Sequence, residues 1–187
     1  METFEIGLPG AWAVHARVAT DARGSFIKTF HAPTYDALGL RTDWQEEYYS
    51  SSRRGVVRGM HFQTPPADHA KLVFCVSGSV ADVVVDLRRG SPTYGEHRSL
   101  DLSAANGIGL YIPSGCAHGF VSTSDLSTMY YKVTSIHSPE HDAGIAWDSF
   151  GFGWPVHDPL ISERDRRHPR LDAFDSPFRF DPEAPSR

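Results

Sequence analysis

The stretch from Lys71 to Leu87 reads KLVFCVSGSVADVVVDL. Two runs rich in β-branched residues, Leu72–Val76 and Val80–Leu87, flank a Ser-Gly-Ser turn signal. In the second run every odd position is apolar, whereas Asp82 and Asp86 share the even face with two valines. Because side chains alternate across a strand, this pattern predicts a strand with one dry face and one partly polar face.

Similar short segments recur on both sides of this pair. Period-two patterning predicts further strands at Ile108–Ile112, Gly119–Thr123 and Met129–Thr134, and a short helix between Pro33 and Gly39. Many short strands with few helices predict an all-β sandwich or barrel formed by one domain, residues 1–187. The segment from Pro155 onward lacks strand alternation, and we expect it to wrap the barrel as loops and helical turns.

Composition excludes several classes of protein. The 187 residues carry a net charge of -5 with no basic cluster among aromatics, which argues against a nucleic-acid partner. Apolar runs are far shorter than the roughly 20 residues that span a bilayer, so no membrane partner is expected. An acidic N-terminus and two isolated thiols, Cys75 and Cys116, predict a cytoplasmic protein whose cysteines pack as small hydrophobic groups.

Two of the ten histidines lie between glycines and apolar residues, where chemistry is plausible. These are His61 in RGMHFQ and His118 in IPSGCAHGF, although a hydrogen-bonded structural imidazole is the more common role. His61, His69 and His118 have the residue type for a non-haem iron or zinc site. The close His-x-His pair of many metal-binding cupins is missing, so metal is the weaker hypothesis. Nucleotide-binding glycine loops, a serine-hydrolase elbow and a zincin helix are also absent.

Four further residues are candidates with an ordinary structural alternative. Lys71 opens a strand and is either a solvated strand end or, if Asp82 is its cross-strand partner, a cation held at the barrel mouth. Of the pair Tyr130 and Tyr131, alternation sends one ring inward. Asp165 reads locally as a surface charge or a helix cap.

Ordered motifs from Asp21 to Asp165 together identify a family resemblance. They are DARGSF at 21–26, GVVRGMHFQ at 55–63, KLV at 71–73, DVVVDLR at 82–88, SPTYG at 91–95, IPSGCAHGF at 112–120, YK at 131–132 and WP at 154–155. In this order they resemble the dTDP-4-dehydrorhamnose 3,5-epimerase family. The resemblance implies a cupin-type jelly-roll fold, a homodimer, no cofactor or metal, and a nucleotide-diphosphate sugar with a 4-keto group as substrate.

The resemblance also implies roles for individual residues. His61 would be the base, Tyr131 the acid, Asp165 the carboxylate that orients His61, and Lys71 the cation near the keto oxygen. The implied substrate contacts are Arg58, His118 and, for the diphosphate, Arg23. Removal of a hydrogen beside the C4 ketone gives an enolate, so such a site needs a base, a stabiliser and an acid.

Several positions that resemble substrate-binding residues depart from the family pattern. Lys28 stands in place of a glutamate, Glu46-Glu47-Tyr48 in place of Gln-Asp-Asn, and His137 in place of a stacking tyrosine. Arg164 for lysine and Asp142 for glutamate are milder changes. We therefore expect CDP, GDP or UDP to compete as well as dTDP or better. The alternative is that Tyr48 or His137 still stacks on a pyrimidine.

Three further functions remain open from the sequence. The first is a metal-dependent cupin enzyme that binds its metal through His61 and His118. The second is a non-catalytic sugar-binding sandwich, which requires His61 and Tyr131 to point away from a shared pocket. The third is a mono-epimerase or ketoisomerase, which would use much the same base and scaffold as the 3,5-epimerase.

Overall fold

The computed structural model describes residues 1–182, and strands dominate it. The predicted domain, residues 1–187, extends five residues beyond that range. The strands are β1 (Glu2–Glu5), β2 (Trp12–His15), β3 (Val18–Asp21), β4 (Gly24–Ile27), β5 (Glu46–Arg53), β6 (Val57–Gln63), β7 (Lys71–Ser77), β8 (Ser79–Asp86), β9 (His97–Ser103), β10 (Ile108–Ile112), β11 (Cys116–Ser122), β12 (Leu126–Val133) and β13 (Asp142–Gly144). The helices are α1 (Ala32–Ala37), α2 (Glu163–Arg166) and a 3-10 turn at Leu171–Ala173.

Two antiparallel sheets face each other, as the all-β jelly-roll expectation requires. The six-stranded sheet has the order β1-β2-β10-β7-β12-β5, and the five-stranded sheet has the order β13-β6-β11-β8-β9. Strands β3 and β4 form a separate hairpin outside both sheets. The prediction of an all-β sandwich with few short helices is confirmed.

The chain crosses from one sheet to the other at Gly78. Strands β7 and β8 adjoin in sequence, yet β7 pairs with β10 and β12 while β8 pairs with β9 and β11. Gly78 has a φ of 73°, and a Cβ there would lie 2.3 Å from the carbonyl oxygen of Leu126. Only glycine fits this turn without displacing the neighbouring backbone. The Ser-Gly-Ser signal therefore marks a change of sheet and not a hairpin within one sheet.

Three apolar layers result from this arrangement. The central layer lies between the sheets and joins Val73, Leu110 and Met129 of one sheet to Val84 and Phe120 of the other. Each such buried side chain contributes about 1.5–3 kcal/mol to the free energy of unfolding.

The two outer faces are covered by irregular segments. Tyr35 of α1 and Leu40 pack on the six-stranded sheet. Ile145, Phe150 and Phe178 from the C-terminal part cover the five-stranded sheet. Leu171, Phe174 and Phe178 of this cover lie after Pro155, so the predicted wrap by the C-terminal segment is confirmed.

Both faces of β8 are buried, although the sequence predicted one dry face and one partly polar face for this strand. Its odd positions contact the C-terminal cover, and its even positions face the other sheet. Asp82 and Asp86 are nevertheless fully buried. Asp86 accepts hydrogen bonds from Arg88, Ser91 and Thr93, which satisfies its charge inside the fold. The polar face is therefore internal and not solvated.

Predicted elements agree with the observed ones to within three residues at their ends, and β10 agrees at both ends. The two cysteines are buried and free. No helix within residues 1–182 has the length and apolar character needed to cross a membrane.

Candidate functional site

A cavity of about 360 Å³ lies between the two sheets and gathers most of the predicted site residues. Its lining includes His61, Lys71, Tyr131, Arg58, His118, Glu46, Tyr48, His137, Asp142 and Arg164. Ser50, Gln63 and His69 also line the cavity. The sequence did not indicate a substrate-binding role for any of these three residues.

Candidate proton-transfer groups occupy opposite walls of this cavity. His61 lies on β6 and His118 on β11, both in the five-stranded sheet. Tyr131 lies on β12 and Lys71 on β7, both in the six-stranded sheet. Because the sheets face each other, a ligand between them meets an imidazole on one side and a phenol on the other.

His61 is held by a buried carboxylate from the C-terminal segment. Its Nε2 atom lies 2.8 Å from Oδ1 of Asp165, which is only 3% exposed. The other carboxylate oxygen accepts a hydrogen bond from the backbone N–H of Gly59 at 3.2 Å. With Nε2 donating to Asp165, Nδ1 carries the lone pair and is the atom available to accept a proton. Asp165 is thus neither a surface charge nor a cap.

A helix cap and a backbone bridge hold Asp165 beside His61. Ser162 is the N-cap of α2, and its hydroxyl oxygen accepts a hydrogen bond from the backbone N–H of Asp165 at 3.1 Å. Leu160 forms a bridge to Val56 just before β6. These contacts fasten the C-terminal segment to the strand that carries His61.

Opposing effects set the protonation of the pair. Burial lowers the pKa of His61 below its usual value, while the hydrogen bond and charge of Asp165 act to raise it. Burial alone would raise the pKa of Asp165, but the hydrogen bond and charge of His61 bring it down to about 2. At neutral pH the pair is therefore an ionised carboxylate beside a neutral imidazole, which is the state a general base requires.

Lys71 is buried, so it is not a solvated strand end. The residue is 6% exposed, and Nζ donates to the carbonyl oxygen of His61 at 3.1 Å. Burial lowers the pKa of Lys71 to about 8, although the charges of Asp142 and Asp82 act to raise it. The cavity thus contains a cation that burial makes unusually easy to deprotonate.

The predicted cross-strand pairing of Lys71 with Asp82 is wrong. Their strands belong to different sheets, and the Asp82 carboxylate instead contacts Nε2 of His118 at 2.9 and 3.0 Å. Both members of this second imidazole–carboxylate pair are buried. Burial raises the pKa of Asp82, and the charge and hydrogen bond of His118 act to lower it. Asp82 influences Lys71 through its charge alone.

The two imidazoles are neighbours because glycines permit close strand contact. His61 and His118 are register partners between β6 and β11, and the register shifts immediately after His118. A Cβ on Gly119 would lie 2.6 Å from Sδ of Met60, and one on Gly59 would lie 2.7 Å from Cα of Gly119. The glycines that flank both histidines in the sequence therefore serve backbone packing.

Tyr131 is the inward ring of its tyrosine pair, as alternation requires. It is 7% exposed, and burial raises its pKa far above the usual value, which keeps the phenol protonated. Its ring stacks on Tyr48 of β5, with centroids 4.8 Å apart and planes at 16°. The edge of His118 approaches from another side, with centroids 6.0 Å apart. Tyr130 points outward and donates to Glu47.

Residues at the cavity mouth are tied to one another. A carboxylate oxygen of Glu46 accepts a hydrogen bond from the backbone N–H of His137 at 2.8 Å. Arg164 and Asp142 form an ion pair at 2.6 Å. Arg58 donates to Ser52 and to the carbonyl oxygen of Ser51, which directs its guanidinium along the wall. Arg58 lines the same cavity as Lys71 and His118.

Arg23 and Lys28 lie elsewhere. The Arg23 side chain is 90% exposed on the turn between β3 and β4, where it pairs with Asp21. Lys28 follows β4 and lines a separate groove with Phe26 and His31. The structure does not bring either residue to the cavity of its own chain.

The histidine trio of the weaker metal hypothesis, His61, His69 and His118, does not form a ligand group within residues 1–182. His118 is committed to Asp82, and the ring of His69 contacts Gln63 and Ser135. Among residues 1–182, the potential ligand group is instead His61, Asp165 and His168. His168 was missed because its surroundings, RDRRHPRLD, read as a charged loop.

Comparison with known protein families gives one clear match. Residues 5–173 match the family described as dTDP-4-dehydrorhamnose 3,5-epimerase. The enzyme of that name from Methanothermobacter thermautotrophicus is 43% identical over 168 residues, covering 87% of this chain and 90% of that protein.

Solved structures of two relatives have the same fold. RmlC from Legionella pneumophila, a dTDP-6-deoxy-D-glucose-3,5-epimerase in complex with dTDP-4-keto-L-rhamnose, superposes with a TM-score of 0.91 at 30% identity, covering 96% of this chain and 98% of that chain. ChmJ from Streptomyces bikiniensis, a 3′-monoepimerase in complex with dTDP-quinovose, gives 0.83 at 30% identity, covering 89% and 86%.

The buried charge of Lys71 predicts a gain in stability when it is removed. Lys71→Met should raise the free energy of unfolding at pH 7 by about 1–4 kcal/mol, since methionine fills the space without a desolvated charge. Lys71 binds its proton more tightly in the unfolded chain than in the folded protein. The stability advantage of Lys71→Met over the wild type should therefore shrink as the pH rises from about 8 to 10.5.

Denaturant unfolding of both proteins across this pH range measures the difference. Lys132→Met is the matched control, because Lys132 is paired with Glu47 at the sheet surface and should give no gain. Equal or lower stability of Lys71→Met at pH 7 would show that the ammonium is well solvated or well paired.

Proposed function

Because the chain belongs to the dTDP-4-dehydrorhamnose 3,5-epimerase family, we propose that its cavity inverts carbons beside the C4 ketone of a nucleotide-linked 4-keto-6-deoxyhexose. The enzyme is an isomerase of the epimerase class. The observation that carries the proposal is that His61 and Tyr131 lie on opposite walls of one cavity. Inversion needs a proton removed from one face of the sugar and returned on the other.

The first step assigns the base to His61. Nδ1 takes the hydrogen from the carbon next to the ketone, and the C–H electron pair becomes the enolate. Asp165 holds the ring through Nε2 and stabilises the imidazolium that forms. Lys71, charged below pH of about 8, is the cation that supports the negative enolate oxygen.

The second step assigns the acid to Tyr131. Its phenol, kept protonated by burial, donates to the enolate carbon from the six-stranded sheet. The enolate then collapses to the ketone with the opposite configuration. His61 loses the captured proton and Tyr131 regains one, both by exchange with solvent, so the enzyme returns to its starting state. Arg58 and His118 are assigned to contacts with the sugar nucleotide, as the resemblance implies.

Separate loss of base and acid should give different products. His61→Asn should lower both exchange of the substrate α-hydrogens and inversion by about 10²- to 10⁴-fold, since the proton acceptor is gone. Tyr131→Phe should still exchange those hydrogens in heavy water while inversion falls, which NMR detects directly.

The adjacent tyrosine offers a matched control for this pair. Tyr130→Phe removes a hydroxyl that bonds to Glu47 on the outer face, and it should retain full activity. Normal exchange in His61→Asn, or normal inversion in Tyr131→Phe, would refute the corresponding assignment.

We infer a homodimer in which the β3–β4 hairpin of one subunit completes the cavity of the other. Arg23 suits a diphosphate because its fork donates paired hydrogen bonds, yet it projects into solvent in its own chain. Phe26 on the same hairpin is 66% exposed, and edge strand β5 exposes Tyr49 at 73%. Exposed apolar groups on a hairpin and a sheet edge are typical of surfaces that a partner covers.

Mixing inactive variants tests whether Arg23 and Lys28 act across the interface. His61→Asn mixed with Arg23→Ala/Lys28→Ala under subunit exchange should recover about a quarter of wild-type activity, because each mixed dimer holds one intact site. The control mixture of His61→Asn with Tyr131→Phe should stay inactive, since those residues share one cavity. No recovery in the first mixture, despite exchange, would contradict the arrangement.

The nucleotide preference is a separate proposal. Of the departures from the family pattern, Glu46, Tyr48 and His137 line the cavity, whereas Lys28 lines a separate groove and Glu47 pairs with Lys132. Changed donors and acceptors cost about 1–3 kcal/mol for each buried group left unpaired, so we propose that dTDP is not the tightest of the nucleotides. Calorimetric titration with dTDP, UDP, CDP and GDP tests this, and a clear preference for dTDP would refute it.

Three further assignments complete the proposal. We propose that one epimerase domain spans residues 1–187 and that the protein works in the cytoplasm without a cofactor. Inversion of one carbon, as the name of ChmJ states for that relative, remains the alternative to inversion at both C3 and C5.

A further inference from the structure

A second histidine stands beside the His61–Asp165 pair. His168 follows α2, and its Nε2 lies 3.8 Å from Oδ1 of Asp165, the same oxygen that contacts Nε2 of His61. The two imidazole rings meet edge to face, with centroids 5.9 Å apart and planes at 73°. The proposed mechanism gives His168 no task.

The side chain of His168 is mostly buried, and its Nε2 atom is unpaired. Its side chain is 11% exposed, and Nε2 has no hydrogen-bond partner although no solvent reaches it. Gly144 on β13 makes room for the ring, because a Cβ there would lie 2.6 Å from Nε2. Buried polar atoms are normally satisfied, so an unpaired nitrogen directed at a carboxylate indicates a missing partner.

We propose that His61 Nε2, Asp165 Oδ1 and His168 Nε2 form a binding site for a divalent transition metal of the Zn²⁺ class, and that the bound metal inhibits the enzyme. The three atoms lie within 4.8 Å of one another. Tetrahedral Zn²⁺ with bonds of about 2.0–2.1 Å separates its ligands by roughly 3.3 Å, so small side-chain rotations complete the site. Two imidazoles and one carboxylate are a common zinc ligand set, with water as the fourth ligand.

The surroundings permit a cation to enter and stay. His61 is 27% exposed through the cavity, which gives a metal ion a route to the group. The positive charge of Arg164 acts on both histidines, but it is neutralised by the ion pair with Asp142. The ionised Asp165 carboxylate supplies the negative charge at the centre of the group.

Metal binding and proton abstraction exclude each other at His61, a step that rests on the proposed function. When Nε2 of a neutral imidazole donates its lone pair to the metal, the single ring proton must reside on Nδ1. Nδ1 then has no lone pair for the substrate hydrogen. Asp165 simultaneously exchanges its hydrogen bond for a metal bond, so the base is both blocked and detached from its orienting carboxylate.

Cobalt binding tests the site without any activity measurement. Nucleotide-free protein titrated with Co²⁺ should develop the visible d–d bands of a tetrahedral ion at one equivalent, and Zn²⁺ should displace them. His168→Asn should weaken binding by about 10- to 100-fold or more, and His61→Asn should do the same. His157→Ala, which changes an exposed histidine, is the control and should bind as the wild type does. No such bands, or unchanged binding by His168→Asn, would overturn the proposal.

Inhibition is measured separately on the epimerisation rate. Wild type should lose activity with added Zn²⁺ and recover it with a chelator, whereas His168→Asn should need at least about 10-fold more Zn²⁺ for the same loss. Equal zinc sensitivity of the two proteins would overturn the inhibitory role. If His61→Asn loses the cobalt bands yet keeps full epimerase activity, the base assignment fails while the metal site stands.

Discussion

The hydrogen bond between His61 and Asp165 is the interaction on which the site depends. It joins residues 104 positions apart and fastens the C-terminal segment to the strand that carries the imidazole. Without it, burial would leave His61 with neither a fixed orientation nor a counter-charge for its protonated form. The C-terminal segment therefore does two things at once, because it also covers the apolar outer face of the five-stranded sheet.

The jelly-roll architecture explains why a proton-transfer site can exist inside an apolar sandwich. Two charged groups that face inward have fixed hydrogen-bond partners, since Asp82 has His118 and Lys71 has the carbonyl oxygen of His61, and the ring of Tyr131 stacks on Tyr48. Such pairing offsets the desolvation of the charges and fixes the positions of the side chains before substrate arrives. Two sheets, with chemistry on each inner face, also supply the two-sided access that inversion demands.

Sequence patterns predicted five interior strands, but they missed the interior strands β2 and β6 as well as the edge strands β5 and β9. Strands β7, β8, β10, β11 and β12 carry dense β-branched and aromatic residues. By contrast, β5 and β9 read EEYYSSSR and HRSLDLS, and their polar residues reflect partial exposure. The Lys71–Asp82 pairing failed because neighbouring strands in sequence entered opposite sheets, which periodicity alone does not encode.

The site residues were predictable to very different degrees. His61 and His118 had a local signal in their flanking glycines, although those glycines serve strand packing. Asp165 had no local signal, and only its family resemblance singled it out. Neither a local sequence signal nor the family resemblance pointed to His168. Its proposed role depends on its proximity to Asp165 in the folded chain, which sequence spacing does not reveal. The separation of Arg23 from the cavity likewise appears only in the folded chain.

In the proposed mechanism, two groups on opposite sheets handle the two protons of each inversion. The most direct measurement is wild-type turnover of a nucleotide-linked 4-keto-6-deoxyglucose in heavy water, with NMR location of deuterium in the product after a single turnover. We expect deuterium at every inverted carbon, because the proton returned by Tyr131 comes from solvent and not from the substrate. Inverted product that retains the original hydrogen would contradict it, since one group would then both remove and return the proton.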